Sequence, residues 1–182
     1  MNYLKYSMLL VVMSFNTYSQ SAIQLFIPSG YSILDSASGD MNNDRVKDLI
    51  LILKNNNESI ENNYDELIRP LLILHGTKNN NYTLFAKNDS VVLCSICGGV
   101  FGDPYEAITI KNNFFSIEHY GGSNWRWTKI ITFKYNEKVK KYILHKDAGA
   151  SYHTSTPDVQ TEIKTKQAYW GKQLFTKYSF NQ

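Results

Sequence analysis

The sequence predicts an all-β domain, or a β-rich α+β domain, in which antiparallel strands form a meander. Three observations support this prediction: short runs with alternating apolar residues, other runs that are apolar at every position, and Asn- and Gly-rich turns between them. The 182 residues, 43% of them hydrophobic, suit one domain with its own core. We expect at most one short helix, near the C-terminus.

The strongest strand signals lie in the first half of the chain. Residues 49–53 and 71–74 are apolar at every position, which is typical of central strands covered on both faces. Residues 23–27 alternate apolar and polar side chains and predict a further strand. The Asn-rich segment 55–65 predicts a long exposed loop, and the Asn-rich turn at 78–81 predicts a hairpin.

The second half of the chain has the pattern of a meander with tight turns. The segment Gly-Gly-Ser-Asn at 121–124 favours a hairpin, because Gly and Asn tolerate the positive φ of tight turns. The C-terminal segment 161–166 is either a short helix preceded by a cap at Asp158 or an edge strand. The predicted strands of this half are residues 106–111, 114–120, 125–135 and 141–145.

The N-terminus has the pattern of a signal peptide. Lys5 precedes an apolar run, and Thr17 and Ser19 are small residues at the −3 and −1 positions of a cut before Gln20. We therefore expect residues 1–19 to be removed near Ser19. Residues 20–182 would then form one β-rich domain in the periplasm or outside the cell.

Composition and charge exclude two classes of partner. No apolar run reaches the roughly 20 residues of a membrane-spanning helix, so we expect no membrane span. The net charge is only +3, and no cluster of Lys and Arg forms a stripe that would follow phosphates. We therefore expect no nucleic-acid partner.

Two cysteines, Cys94 and Cys97, form a Cys-x-x-Cys pattern. In an exported β domain this pattern favours a structural disulfide. Zinc and redox chemistry are the alternatives. A zinc site would need two further ligands, and the four histidines show no paired spacing.

One segment carries the spacing of a metal-binding loop. Residues 39–49 read GDMNNDRVKDL, and oxygen-bearing side chains stand at the first, third, fifth and ninth positions of the loop that begins with Asp40. Hard cations such as calcium take six to eight oxygen ligands, and closely spaced carboxylates repel one another without a cation. An Asx-rich turn without an ion is the alternative. The candidate calcium ligands are Asp40, Asn42, Asp44, the carbonyl of Val46, and Asp48.

This loop resembles the calcium-loop repeats of the FG-GAP and VCBS type, in which such a loop runs directly into an apolar strand. The resemblance implies the same five ligands. Arg45 stands at the sixth loop position, where those repeats usually carry glycine, and a left-handed backbone costs about 1–2 kcal/mol there. We therefore expect a weak site that fills at extracellular calcium concentrations. Residues 94–105 and 119–127 also resemble a group of small exported bacterial proteins, which implies export but no reaction.

No motif assigns a reaction to the chain. A nucleophile elbow, a phosphate-binding loop and a zinc-protease helix are absent from the sequence. Ser95 and Ser123 have no assignable base, and no spacing makes Asp103, Glu106 or Glu118 an acid and base pair. The sequence therefore identifies no substrate.

The last predicted hairpin carries the residues of a candidate binding surface. Alternation places Trp125 and Trp127 on one face and Arg126 on the other. A turn at Gly122-Ser123 would set Tyr120 opposite Trp125 and Glu118 opposite Trp127. If exposed, these side chains would hold a sugar or a protein; if buried, they belong to the core. We expect Trp125, at the turn end, to be exposed and Trp127 to pack inside.

These observations favour an exported β-rich calcium-binding module that binds an unidentified protein or carbohydrate. One alternative is an exported inhibitor or immunity-type protein directed against a toxin or hydrolase. The other is a periplasmic hydrolase.

Overall fold

The computed structural model describes residues 22–59, 66–155, 159–160 and 173–180. It confirms the β-rich prediction, because the described chain forms one domain of two antiparallel sheets. The predicted signal peptide, residues 1–19, and the segment 161–166 lie outside the described residues. The helical segments within the described ranges are all too short and too polar to cross a membrane.

The first sheet contains four strands in chain order, each antiparallel to its neighbour. Its two inner strands contain the two all-apolar runs, as predicted. Between them, residues 56–59 of the predicted loop form a 3-10 helix, Asn56–Ser59. The four strands are β1 (Tyr31–Gly39), β2 (Asp48–Asn55), β3 (Leu71–Gly76) and β4 (Tyr82–Asn88).

The second sheet contains five strands, again in chain order and antiparallel. It is the predicted meander, although its fourth strand runs eight residues beyond the predicted end at residue 145. The five strands are β5 (Tyr105–Lys111), β6 (Phe114–Gly122), β7 (Trp125–Asn136), β8 (Lys141–His153) and β9 (Val159–Gln160).

The core lies between the two sheets. Alternate residues of β2 and β3 face alternate residues of β6, β7 and β8, as expected when sheets pack face to face. Ile50 and Ile73 from the first sheet and Phe115, Ile131 and Phe133 from the second are fully buried. The two sheets are therefore held against each other mainly by this apolar layer.

The other face of the first sheet is also buried, and this corrects one predicted strand. Residues 22–24 are helical, and Ile23, Phe26 and Ile27 pack against the leucines of β2 and β3 on the side away from the core. Leu25, which points away from that contact, is 85% exposed. The predicted strand at 23–27 is therefore wrong, because apolar residues at i, i+3 and i+4 lie on one side of a helical turn.

The C-terminal segment closes the gap between the two sheets near β4 and β8. Phe175 and Tyr178 are buried in the core, and Phe175–Lys177 forms the short 3-10 helix expected near the C-terminus. The side chain of Asn88 donates hydrogen bonds to the carbonyls of Phe175 and Tyr178. This segment is therefore part of the folded domain.

Strand β7 runs between two ends of the domain that carry the candidate sites. At one end, which we call the loop end, the β1–β2 loop contacts the β7–β8 turn through a hydrogen bond from Asn43 to Glu137. At the other, the disulfide end, residues 94–104 lie beside the β6–β7 turn and form a bridge between Gly99 and Gly122. Twelve residues of extended strand separate the ends by on the order of 35 Å along the chain.

Candidate cation-binding loop and hairpin surface

The loop of residues 40–47 connects β1 to β2 and is organised around Asp40. Asn43 and Arg45 have left-handed backbones, with φ of 64° and 67°. The backbone N–H of Arg45 donates to Oδ2 of Asp40 over 2.9 Å. The sixth loop position thus takes the conformation for which the resembling repeats use glycine, at a cost of about 1–2 kcal/mol.

Two further side chains fold the loop back on itself. Oδ1 of Asn42 accepts the N–H of Asp44 over 3.0 Å, and Oδ1 of Asp44 accepts the N–H of Val46 over 2.8 Å. The amide of Asn42 also donates to Oδ2 of Asp44 over 2.9 Å. These bonds turn the third and fifth side chains toward each other.

Asp48 is fully buried and joins the loop to β3. Its Oδ2 accepts the N–H of Met41 over 2.9 Å, and its Oδ1 accepts the N–H of Gly76 over 3.1 Å. Burial raises the pKa of Asp48, and the charge of Asp44 raises it further, whereas the two backbone N–H groups lower it. A buried carboxylate with acidic neighbours is stabilised by added positive charge.

Three rings from the two sheets surround the loop carboxylates. His75 Nε2 lies 3.1 Å from the hydroxyl of Tyr142. Burial raises the pKa of Tyr142, and Asp48 adds to this effect. Burial also raises the pKa of Tyr135, with a further contribution from Asp44. The loop carboxylates therefore act electrostatically on the rings of Tyr135 and Tyr142.

The loop carries oxygen donors of the kind that hard cations take. Oδ1 of Asp40 is buried and, within the described chain, has no hydrogen-bond partner. Across the described residues, no three His, Cys, Asp or Glu side chains are already gathered as metal ligands. The donors that surround Asp40 also include an amide and a carbonyl, which calcium accepts and transition metals seldom choose.

The β6–β7 hairpin has a register different from the predicted one. Gly122 pairs with Arg126, so residues 123–125 lie between the last paired positions, and the predicted turn at Gly122-Ser123 is wrong. Tyr120 therefore lies opposite Thr128, not Trp125. Glu118 lies opposite Ile130, not Trp127. The later turn displaces every cross-strand partner by three positions.

The two tryptophans of the hairpin differ in exposure, as predicted. Trp125 is 52% exposed, and its ring lies 5.2 Å from that of His153. Trp127 packs over Gly121 so closely that a Cβ there would come within 2.6 Å of the indole. Its ring lies 6.2 Å from that of Phe180. Trp127 is thus part of the packed structure, and Trp125 is not.

The other face of the hairpin carries a second cluster around Arg126. The Arg126 guanidinium lies 4.1 Å from the ring centre of Phe101, and that ring lies 5.1 Å from Tyr120. The side chain of Tyr152 raises the pKa of Tyr120, so the two hydroxyl groups lie near each other. Sequence reasoning missed Phe101 and Tyr152, since only the folded chain brings them beside the hairpin.

The two cysteines form the predicted disulfide. The sulfurs of Cys94 and Cys97 are 2.07 Å apart. The loop that follows is closed by a hydrogen bond from the N–H of Gly98 to the carbonyl of Gly102. It is attached to the hairpin by the bond from the N–H of Gly122 to the carbonyl of Gly98.

A buried ion network beneath this loop was not foreseen from the sequence. The guanidinium of Arg69 is 1% exposed and binds Glu58 over 2.7 Å and Asp103 over 2.6 Å. Burial alone would lower the pKa of Arg69, but the bonds to Asp103 and Glu58 leave it above its usual value. Asp103 is therefore engaged in structure, which argues against its use as a catalytic acid or base.

Comparison of the chain with protein-family models, curated proteins and solved structures found no match.

Proposed function

We propose that the protein is an exported calcium-binding β domain that binds a partner. The observation that supports the calcium site best is the conformation of residues 40–48. Arg45 adopts a left-handed backbone to bond Oδ2 of Asp40, while the other oxygen of that carboxylate is buried without a partner in the described chain. A cation at Asp40 would satisfy that oxygen and balance its charge.

Five residues would hold the ion: Asp40, Asn42, Asp44, the carbonyl of Val46, and Asp48. Bound calcium would neutralise the repulsion among the three carboxylates. The chain's own part is to hold these groups in place. Asp48 does so through its bonds to Met41 and Gly76, which attach the loop to β3. Each oxygen of Asp48 accepts one N–H and keeps a second lone pair.

The affinity should be low. Arg45 and Lys47 bring two positive charges to the loop, and these charges repel a calcium ion. The left-handed backbone of Arg45 adds a conformational cost to the loop structure that would hold the ion. Sites with dissociation constants of about 10⁻⁴–10⁻³ M are the extracellular kind.

Export is supported by two features of the chain. The first is the signal-peptide pattern of residues 1–19. The second is the Cys94–Cys97 disulfide, since structural disulfides persist mainly in oxidising compartments. An exported protein meets millimolar calcium, the range in which a weak site fills.

Calcium titration tests the proposal directly. Protein taken from the periplasm or culture medium should melt at a higher temperature as calcium is added, because an ion that binds only the folded state stabilises it. At ten times the dissociation constant, the gain is about 1.4 kcal/mol, or roughly 3–5 °C for a domain of this size. Asp44→Ala should abolish the shift, and Asp89→Asn should retain it, because Asp89 pairs only with Lys87 at the surface.

Two results would contradict the proposal. The calcium site is wrong if millimolar calcium leaves the melting temperature unchanged, or if Asp44→Ala shifts as much as the natural chain. Export is wrong if the intact mass of the protein still includes residues 1–19.

An inhibitor or immunity-type function remains the second candidate. The disulfide end favours it, because four large apolar side chains are exposed there: Val100 by 70%, Trp125 by 52%, Phe101 by 46% and Ile96 by 38%. Exposed apolar groups gathered at one end of a domain are typical of protein-binding surfaces.

A further inference from the structure

The disulfide end carries a surface made of two aromatic hydroxyls, two exposed apolar side chains and one arginine. We call it the Arg126 surface and define it by Val100, Phe101, Tyr120, Arg126 and Tyr152. Cross-strand pairing places Arg126 directly opposite Tyr152 on β8. The ring of Phe101 contacts both Arg126 and Tyr120, and the side chain of Tyr152 lies close enough to Tyr120 to raise its pKa.

The backbone builds this surface by laying the disulfide loop against the hairpin. The N–H of Val100 donates to the carbonyl of Gly122, beside the bridge between Gly99 and Gly122. A Cβ at Gly99 would come within 2.7 Å of the Gly122 carbonyl oxygen, and Gly99 has φ of 70°. Only glycine allows so close an approach in that conformation. Val100 and Phe101 are thereby held beside the hairpin with their side chains exposed.

Arg126 is half-buried and has no ion-pair partner among the described residues. None of the four ion pairs found in the described chain includes it. Its Nη1 is buried, and no acceptor among the described residues bonds that atom. Phe101 covers one face of the guanidinium, so a ligand would approach along its edge. A partly exposed guanidinium without a counter-ion is suited to a carboxylate, which arginine often binds through two parallel hydrogen bonds.

The surroundings favour a carboxylate over a phosphate. One arginine supplies a single positive charge, and Glu106 is close enough to Tyr120 to act on it electrostatically. A phosphate carries nearly two negative charges and usually meets several cations or a helix N-terminus. A carboxylate brings one charge, which Arg126 balances.

The apolar members favour a protein over a free acid. Val100 and Phe101 stand out from the surface and would remain in water beside a small acid. A protein partner covers them with its own side chains and excludes water around the ion pair. Arg, Tyr and Trp are the residue types that dominate the binding energy of protein interfaces.

We propose that the Arg126 surface docks an acidic side chain of a protein partner, with Arg126 pairing the carboxylate and Val100 and Phe101 packing against the apolar residues beside it. This inference rests on the proposed binding function and assigns it a place and a chemistry. It does not depend on the calcium site, which lies at the other end of β7.

A randomised dodecapeptide display library, selected on the exported protein in millimolar calcium, tests the docking chemistry. Enriched peptides should contain Asp or Glu beside an apolar residue. Arg126→Gln should weaken their binding by about tenfold or more, as for a lost charge-assisted pair, and Phe101→Ala should also weaken it. Lys111→Gln is the matched control, because it removes one positive charge from an exposed position of the same sheet and should change binding less than twofold.

Replacing the acidic residue of the peptide by its amide completes the test. The amide peptide should bind the natural protein about as weakly as the acidic peptide binds Arg126→Gln, and the two losses should not add. Near-ultraviolet circular dichroism checks that each variant is folded, and the calcium-induced melting shift of Arg126→Gln should match that of the natural chain.

Several results would overturn the proposal. They are a selection without enrichment, enriched peptides that lack acidic residues, or equal binding by Arg126→Gln. Self-association lost in Phe101→Ala would assign the surface to a second copy, and a glycan bound only by the natural chain would assign it to a sugar. Peptide binding without a calcium-induced rise in melting temperature would contradict only the calcium site. A calcium-induced rise without peptide binding would contradict only this proposal.

Discussion

Two arginines near the disulfide end hold their guanidinium groups in opposite ways. Arg69 is 1% exposed and donates hydrogen bonds to Glu58, to Asp103 and to the carbonyl of Leu93. Arg126 has a buried Nη1 with no acceptor in the described chain and one face covered by Phe101. The fold thus provides carboxylate partners for the guanidinium of Arg69, whereas no described residue bonds Nη1 of Arg126.

This difference assigns a structural role to Arg69 and is consistent with the binding role that we propose for Arg126. Arg69 precedes β3 and bonds both the 3-10 helix Asn56–Ser59 and the segment after the disulfide, so it holds three parts of the chain together. Arg126 contacts one exposed ring, so little of the fold depends on it. A satisfied buried charge is costly to disturb, whereas an unsatisfied one gains when a partner arrives.

The largest expected effect is the loss of Arg69. Arg69→Met leaves the carboxylate of Glu58, which is 4% exposed, without its cation. Removing one member of a buried pair typically costs about 3–5 kcal/mol. Urea unfolding should show this loss, and adding Glu58→Gln to the same variant should recover part of it. A loss below about 1 kcal/mol would mean that the network contributes no more than a surface pair does.

The next effect is on the pH dependence of stability, through His119. Its Nε2 accepts the N–H of Leu93 over 3.4 Å, and its Nδ1 is buried without a partner in the described chain. Burial, together with the charge of Lys129, lowers the pKa of His119 to about 4, and Arg69 adds to this while Asp103 opposes it. The folded protein therefore keeps His119 neutral.

The sign of the effect follows from that lowered pKa. The full stability is present above the unfolded pKa of about 6.5 and is lost as the pH falls toward 4, because only the unfolded chain takes up the proton. The loss is on the order of 3 kcal/mol across this window. Unfolding measured between pH 7 and pH 4 should show a slope reduced by about one proton in His119→Gln, with His145→Gln as the exposed control. Equal slopes in His119→Gln and the natural chain would contradict a neutral buried His119.

The smallest effect concerns the disulfide that positions the Arg126 surface. Closing a loop of four residues stabilises by about 2 kcal/mol in the chain-entropy estimate. A Cys94→Ser, Cys97→Ser variant should therefore remain folded, because Arg69 and His119 still hold Leu93 on both sides. Its affinity for an acidic peptide should fall, since Phe101 is carried by the released loop. Unfolding of this variant at neutral pH would show that the disulfide, and not the ion network, holds this end.

Much of the fold was predictable from local pattern. The two all-apolar runs became β2 and β3, and the Gly-Gly-Ser-Asn turn became the β6–β7 hairpin. These features depend on residues close in sequence, where alternation and turn chemistry act directly.

The predictions that were wrong depended on distant contacts. Residues 23–27 alternate like a strand, but the leucine face of β2 and β3 selects the helical turn that presents Ile23, Phe26 and Ile27 together. β1 was missed because its sequence, YSILDSASG, is mostly small and polar. It forms a strand because the apolar β2 needs a hydrogen-bonded neighbour on its open edge.

The sequence by itself determined the β-rich class, the disulfide and the spacing of oxygen donors in one loop, because each of these features depends on residues within about ten positions of one another. Tertiary structure alone decided which charges are satisfied. Arg69 meets Asp103 across 34 positions, and Arg126 meets Phe101 of the loop after the disulfide, with no carboxylate of the described residues bonded to its Nη1. Whether a guanidinium is bonded depends on which acceptors the folded backbone brings within about 3 Å of its nitrogens, and no local sequence pattern determines that distance.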